Sequence, residues 1–484
     1  MNDLSKRKCP AGSGWQVVTA RGNKTPTPKT GNGFNVYNPS ASQRYDFVYN
    51  IFMTIFKMID CIRKNKWRVG LAAAVVLAVI LGLILFSIHN KGRRKINTNN
   101  VGPAIDQVST DTKKQEANTS FGDDQALASL PSCGRSKEVF STFPVKEGDY
   151  SKIIPLGNLN PSSHTFPTDH IYVEVYDPQR PAAVIRASGR KSLIAPADMW
   201  IYKISNSEQV GGITDWAIDF SPCKDVKGKF GHVGTIADKL QAAIDKAVTN
   251  CNEYKTGGHT YKSCDFYGFK LKVESGEEIG TAGSERSGML DIWMSDYREQ
   301  EIPRANPARW SADRNYVACF LDYFKASQKD QFYKLLIGPN NGVRTKEPRC
   351  GTVNVDIPLT AQGVWFYNLT GKLQNEDQHL ALVYENMETD KQTISMGNSG
   401  NSVGLPSASY QFVPVNSGKV NRNFSQVSAD STVYCYDTKS RLDGVVKSIL
   451  LTMPSSDKLR IGSNPKGKCG SGTQTLTNFV EFAR

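Results

Sequence analysis

The 484-residue chain lacks the patterns that would place it in several common protein classes. It has no Gly-X-Y period and no sustained heptad, which excludes a collagen and a coiled coil. It has no P-loop, no dinucleotide-binding fingerprint and no His-Glu-x-x-His motif, so the usual nucleotide-binding and zincin signatures are missing. One segment alone is apolar enough to cross a bilayer, which excludes a polytopic transporter.

The positive charge of the chain is concentrated at its N-terminus. The net charge is +13, and residues 1–68 contribute twelve Lys and Arg against three Asp and Glu. The larger C-terminal part is therefore close to neutral and has the mixed charges of an ordinary solvated surface. This distribution indicates a basic tail beside a membrane and argues against nucleic acid as a partner.

The apolar segment Val69–Ile88 has no charged residue. As a helix its twenty residues would span about 30 Å, the thickness of a hydrocarbon core. Basic residues flank it on both sides, with a slight excess on the N-terminal side. A cleaved signal peptide fits poorly, because the run is long and begins late. We expect a single-pass protein of the cell membrane, with its N-terminus in the cytoplasm and its C-terminal part outside.

Three further segments surround this transmembrane helix. Residues 1–46 are rich in Gly, Pro, Ser, Thr and Asn and are predicted to be a disordered, basic cytoplasmic tail. Polar residues interrupt 47–62 at helical spacing, which predicts an amphipathic helix on the inner membrane face or, equally, a partner-binding helix. Residues 89–130 are polar and nearly free of aromatic residues, and they predict a flexible stalk.

From residue 131 onward the sequence predicts a mainly β ectodomain. Aromatic and β-branched residues alternate with polar ones, and turn residues recur about every ten positions. The predicted strands include His170–Val175, Met199–Ile204, Phe266–Val273, Val364–Asn368 and Leu380–Tyr384. Two inserted helices are predicted at Thr235–Asn250, with Thr235 as N-cap, and at Ser327–Ile337. The Gly- and Ser-rich run 274–290 suggests a boundary between two regions, 131–284 and 285–484.

The cysteines agree with an extracytoplasmic ectodomain. Eight of the ten follow the transmembrane segment, an even number that allows four disulfides in an oxidising compartment. The chain has no Cys-x-x-Cys pair, which argues against a zinc knuckle. Cys251–Cys264 and Cys435–Cys469 are the pairings that we expect from their proximity in sequence, although the connectivity stays open.

Histidines and an aspartate cluster in one short segment, GNLNPSSHTFPTDHIYVEV, which contains His164, Asp169 and His170. Imidazole and carboxylate groups on such a loop suit Zn²⁺, while hydrogen bonding within the loop is the alternative role. The turn LIAPADMWIYKI follows at 193–204, and FGHV follows at 230–233 with His232.

In this order the three motifs resemble the lysostaphin-type zinc peptidases over about residues 150–275. The resemblance implies a β-sandwich with duplicated hybrid motifs, related to the lipoyl-carrier fold. It also implies that His164 is the first zinc ligand, that Asp169 or His170 is the second, and that His232 is a catalytic histidine that does not bind the metal. The whole ectodomain is similar to envelope proteins that share the opening PLGNLNP…HTFPTDH.

Three departures from that family limit what the resemblance implies. Four residues separate His164 from Asp169 where the family has three, and Met199 stands in place of a glycine. The family's final His-x-His motif is missing, so that His379 is the nearest candidate for the third ligand and Glu385 the candidate general base. A zinc hydrolase needs three protein ligands, an open water position and a base.

The sequence therefore predicts a degenerate zinc-peptidase-like domain that acts as a binding or structural module of the cell envelope. An active zinc-dependent hydrolase of envelope peptide cross-links is the first alternative, and an attachment-type surface protein is the second. The predicted partners are the membrane and a cell-wall polymer, a glycan or a surface protein. The region 285–484 adds aromatic strands and disulfides but no chemical motif.

Overall fold

The computed structural model describes residues 127–175, 190–209, 213–256, 259–338, 342–353, 356–470 and 472–484. The predicted tail, amphipathic helix and transmembrane helix, and the stalk up to residue 126, lie outside the described residues. Among the described residues, no helix combines the length and the apolarity that a membrane crossing requires. The described part is mainly β, as the sequence predicts, and it contains two antiparallel sheets.

The first sheet has eleven strands. They are β1 Tyr150–Ile154, β2 His170–Val175, β3 Lys191–Ile194, β4 Met199–Gln209, β5 Ile213–Cys223, β6 Val226–Ile236, β7 Val248–Thr256, β8 His259–Tyr267, β9 Leu271–Val273, β10 Glu278–Ala282 and β11 Met289–Asp296. The main order is β1-β2-β11-β6-β5-β4-β8-β7, with β9 paired to β4, β10 to β6 and β3 to β10. The central strands therefore come from distant parts of the chain.

The two faces of this sheet differ because neighbouring residues of a strand point to opposite sides. Ile218 and Phe220 of β5, Phe230 of β6, and Ile292 and Met294 of β11 belong to the buried core. The residues between them are mostly charged or polar and form the opposite face, which we call the polar face. The candidate site described below lies on it.

Helices occupy less of the chain than the sequence predicts. The helix α1 covers Asp238–Ile244 rather than Thr235–Asn250, because Thr235 belongs to β6 and Val248 begins β7. The residue that precedes the helix is Ala237, so the prediction of Thr235 as N-cap is wrong. A four-residue helix, α2, follows at Ala312–Asn315.

The second predicted helix ends early. The helix α3 covers Ala326–Tyr333 rather than Ser327–Ile337. The three apolar residues that follow it leave the helix because Leu336 bridges to Ile153 of β1 and Ile337 bridges to Val343. Leu336 and Ile337 therefore form strand-like bridges, although the apolar spacing of this stretch also suits a helix.

The second sheet is an eight-stranded meander in which each strand pairs with the next. Its strands are β12 Gly363–Trp365, β13 Leu380–Tyr384, β14 Gln392–Met396, β15 Ala408–Phe412, β16 Tyr434–Ser440, β17 Val446–Ser455, β18 Lys458–Ser463 and β19 Val480–Ala483. Two backbone hydrogen bonds of 2.7 and 2.9 Å join Phe366 to Ala483. The first and last strands therefore meet at this one residue pair, beside a core that includes Trp365 and Phe482.

A small apolar cluster joins the second sheet to Trp310 and to the segment between β1 and β2. Val364, Phe366, Ala381 and Val383 on the outside of the second sheet pack with Phe166 and Trp310, among others. The predicted boundary at 284/285 falls inside the first sheet, because β11 lies between β2 and β6. The Gly- and Ser-rich run that suggested it forms the turns around β10 instead of a linker.

Four disulfides connect the eight cysteines of the described region. The expected pairings Cys251–Cys264 and Cys435–Cys469 are confirmed. The other two join Cys133 to Cys223 and Cys319 to Cys350. All four lie in the predicted ectodomain.

A candidate binding groove on the polar face

Five side chains form a row across the polar face. Lys203 of β4 stands opposite Asp219 of β5, Asp219 opposite Lys229 of β6, Lys229 opposite Trp293 of β11, and Trp293 opposite His170 of β2. Residues directly opposite each other in an antiparallel pair share a face. Five strands thus place cations, a carboxylate, an indole and an imidazole side by side.

Two cavities open on this row. They measure about 370 and 320 Å³, and both are lined by Lys203, Lys229 and Trp293. Asp219 lines the first cavity and Asp215 the second. Because they share three side chains, we treat them as one polar groove that follows the sheet surface.

A β-bulge brings His232 to the groove. Trp216 pairs with Val233 and Ile218 pairs with Phe230, so that two residues of β6, Gly231 and His232, face one residue of β5. His232 has a left-handed backbone with φ of 56°. By simple alternation from the buried Phe230 this side chain would point into the core. The extra residue redirects it to the polar face, which is a common use of bulges beside functional sites.

Gly231 is required by its contact with Trp293. A Cβ atom on Gly231 would lie 2.7 Å from the Trp293 ring. We expect Gly231→Ala to lower the free energy of unfolding by about 1–3 kcal/mol, because the indole would have to move. Denaturant unfolding followed by tryptophan fluorescence measures this loss. Gly470→Ala is the control, since its nearest neighbour is 3.9 Å away; equal stability of the two variants would contradict the prediction.

A chain of ionisable groups forms the floor of the groove. The Nδ1 atom of His232 lies 2.7 Å from Oδ2 of Asp215, and its Nε2 atom lies 3.4 Å from Oδ2 of Asp291. The same Asp291 oxygen lies 3.6 Å from Nε2 of His170. The Nδ1 atom of His170 in turn lies 3.2 Å from Oδ1 of Asp169. Each imidazole is thus held between two carboxylates.

Arg314 continues this chain toward the second sheet. Its Nε atom lies 2.8 Å from Oδ2 of Asp169, and its Nη1 atom lies 3.3 Å from Oε1 of Glu376. The backbone N–H of Phe166 donates to Glu376, and the indole N–H of Trp293 donates to Asp169, both at 2.9 Å. The network is therefore a continuous series of paired acids and bases.

The surroundings of His232, Asp169 and His164 set the charge of these three side chains. Burial disfavours charge on His232, but Asp291 and Asp215 outweigh it and raise the pKa to about 9. Burial would raise the pKa of Asp169, but the charge of Arg314 and hydrogen bonds hold it well below its usual range. Burial and the charge of His170 lower the pKa of His164 to about 3. At neutral pH His232 is therefore a cation, Asp169 is an anion and His164 is neutral.

The predicted zinc ligands meet in part. His164 and His170 are neighbours, with ring centroids 5.5 Å apart, and Asp169 lies beside His170. A zinc ion at Asp169 does not fit, because one oxygen accepts from Trp293 and the other faces the guanidinium of Arg314. Within the described residues, three metal-ligating side chains lie mutually within 4.8 Å at Cys133, Cys223 and Asp225, and the two cysteines form a disulfide.

The third predicted ligand, His379, has other contacts. Its Nδ1 atom accepts the backbone N–H of Tyr367 at 3.0 Å, and its ring stacks on Phe166 at 5.6 Å. Burial lowers its pKa to about 4, although a hydrogen bond to the Asn375 backbone opposes the shift. Both the stacking and the hydrogen bonds are typical of a structural histidine.

The predicted general base, Glu385, belongs to a different cavity of about 470 Å³. Its Oε1 atom lies 3.3 Å from Arg441, and its Oε2 atom accepts two backbone N–H groups. Both oxygens of Glu385 are therefore already engaged by hydrogen-bond donors of the protein.

Several residues that line the groove were not predicted from the sequence. Asp215, Asp219, Lys229, Asp291 and Trp293 come from three strands, and their shared face is visible only as alternating polarity. That alternation indicates a polar face but does not tell which strands are neighbours.

Comparisons with protein-family models, curated proteins and solved structures give no match for this chain.

Proposed function

We propose that this chain is a membrane-anchored, extracytoplasmic binding protein that holds its ligand in the groove without cleaving it. The observation that carries the proposal is the set of ion pairs on the groove floor. His232 is held between Asp215 and Asp291, and Asp169 is neutralised by Arg314. Such a network fixes side chains in place, which favours recognition.

Hydrolysis would require a different arrangement of these groups. A general base needs a pKa near the working pH and reach to a water molecule, and a zinc hydrolase needs three free ligands. His232 is charged at neutral pH, and Asp169 is engaged by two donors. An open groove beside an internally neutralised network fits a binding role better than the alternative of zinc-dependent cleavage.

The test uses the full-length chain in amphipol, coupled to beads and mixed with bacterial cells, animal cells and isolated peptidoglycan. We expect retention on at least one of these surfaces, insensitive to EDTA and without release of soluble peptides. Lys229→Glu should lower retention at least tenfold, because it places an acid beside Asp219. Lys262→Glu is the matched control, an exposed lysine of β8 that does not line the groove.

Two results would overturn the proposal. Equal retention of Lys229→Glu and the wild-type protein would show that the groove is not the binding site. Peptide release that stops with EDTA, together with about one zinc ion per chain by elemental analysis, would favour the hydrolase instead.

A further inference from the structure

Three carboxylate oxygens in the groove lack a hydrogen-bond partner. Among the described residues, Oδ1 of Asp215, Oδ2 of Asp219 and Oδ1 of Asp291 are buried and have none. Asp215 and Asp291 are themselves 7% and 4% exposed. A buried acceptor without a donor is costly, and the few that occur in folded proteins call for an explanation. All three residues line the groove, so a ligand there can supply the missing donors.

The charge around these oxygens restricts the ligand. Lys203, Lys229, Arg286 and the charged His232 line the same groove as the carboxylates. A cationic ligand would meet these four groups, and an anionic one would meet the three aspartates. A neutral ligand with many groups that both donate and accept satisfies both sets, and hydroxyl groups have this property.

The indole of Trp293 provides an apolar platform beside the polar groups. Its ring packs on His170 with centroids 4.1 Å apart, and Nζ of Lys229 lies 5.7 Å from its centroid. Because the ring is backed by His170 and is half-buried, it is held in place before a ligand arrives. An apolar face next to directed donors and acceptors matches a sugar ring, which has C–H faces and hydroxyl edges.

A protein partner suits the groove less well. Protein interfaces rely on exposed aromatic and aliphatic anchors at their centre. Among the described residues, a single exposed large apolar side chain lines the groove. It is Tyr254, which is 39% exposed. The groove is instead lined mostly by charged and polar side chains.

Resting on the proposed function, we propose that the ligand is a neutral, hydroxyl-rich glycan bound across Trp293 and the carboxylates of Asp215, Asp219 and Asp291. The sugar hydroxyls donate to the three oxygens and accept from the lysines, and one sugar face lies on the indole. The adjoining cavities of about 370 and 320 Å³ leave room for an oligosaccharide.

The test is a glycan array probed with the full-length chain in amphipol, since glycosidic detergents would compete. The array carries neutral oligomers of glucose, mannose and N-acetylglucosamine beside sialylated and sulfated glycans. We expect binding to a neutral series, with affinity about tenfold lower for Asp219→Asn, which replaces an acceptor oxygen by a donor of the same size. Glu253→Gln is the control, the same kind of change at an exposed position of β7.

The remaining outcomes overturn the glycan assignment in separate ways. Binding confined to sialylated or sulfated glycans would show an acidic ligand. Unchanged glycan affinity in Asp219→Asn, with an unchanged melting temperature, would place the glycan elsewhere. If no glycan binds while Lys229→Glu still abolishes surface retention, the groove takes a protein partner and the proposed function stands. If Lys229→Glu has no effect on retention, the proposed function fails as well.

Discussion

Arg314→Met is expected to lower the free energy of unfolding by about 3 kcal/mol. Removing one partner of a buried ion pair typically costs about 3–5 kcal/mol, because the other charge stays buried. Asp169 is 7% exposed and would lose its main cation. The value lies at the lower end because a third of the Arg314 side chain is exposed and solvent screens it. Glu376 adds little, since burial raises its pKa to about 7 and it can take up a proton.

Equilibrium unfolding of the full-length chain in denaturant at pH 7 measures this effect. Arg460→Met is the matched control, because Arg460 pairs at 2.8 Å with Glu481, whose side chain is 34% exposed against 9% for Asp169. It should cost less than about 1 kcal/mol. The loss in Arg314→Met should also shrink at low pH, where Asp169 becomes protonated. A loss that equals that of the control, or that does not depend on pH, would show that Asp169 does not need this cation.

Between pH 6.5 and pH 9 the fold is expected to lose as much as about 3 kcal/mol through His232 alone. The folded-state pKa of about 9 exceeds the unfolded value of about 6.5. The folded state therefore holds its proton more tightly, and this stabilisation is complete below pH 6.5. It declines as the pH rises through the folded value, because the neutral imidazole no longer attracts Asp291 and Asp215.

The comparison of unfolding free energies at pH 6.5 and 9 for the unchanged protein and His232→Asn isolates this contribution. Asparagine tolerates the left-handed backbone at this position but does not titrate. Other groups that titrate in this range change both proteins equally. A fall of the same size in His232→Asn would assign the pH dependence to another group, and a flat profile in the unchanged protein would contradict the ion pairs.

Much of the fold follows from local sequence patterns. The predicted strands His170–Val175 and Leu380–Tyr384 agree with the structure to the residue, because dense β-branched and aromatic residues end at turn residues. Helix ends could not be predicted, because Thr235 and Val248 lie in strands that pair with distant parts of the chain. The pattern around 274–290 misleads for the same reason, because the strand that follows it returns to the first sheet.

The site was predictable in its histidines and not in their partners. His164, Asp169, His170 and His232 are candidates from sequence, and the structure brings them together. Arg314 and the aspartates Asp215, Asp219 and Asp291 were missed, because their position depends on strand order and on the register shift at His232. The expectation of a zinc site also could not reveal that Arg314 faces Asp169 at 2.8 Å.

The pairing of β19 makes residues 480–484 important for solubility. The hydrogen bonds between Phe366 and Ala483 tie β19 to the end of β12, and Arg484 fastens the junction by donating to Thr360 at 2.9 Å and stacking over Trp365 at 4.0 Å. A chain truncated before Val480 would leave β18 with a row of unpaired N–H and C=O groups, which is a template for pairing between molecules. Early termination would therefore produce a self-associating protein, and a purification tag is better placed away from this junction.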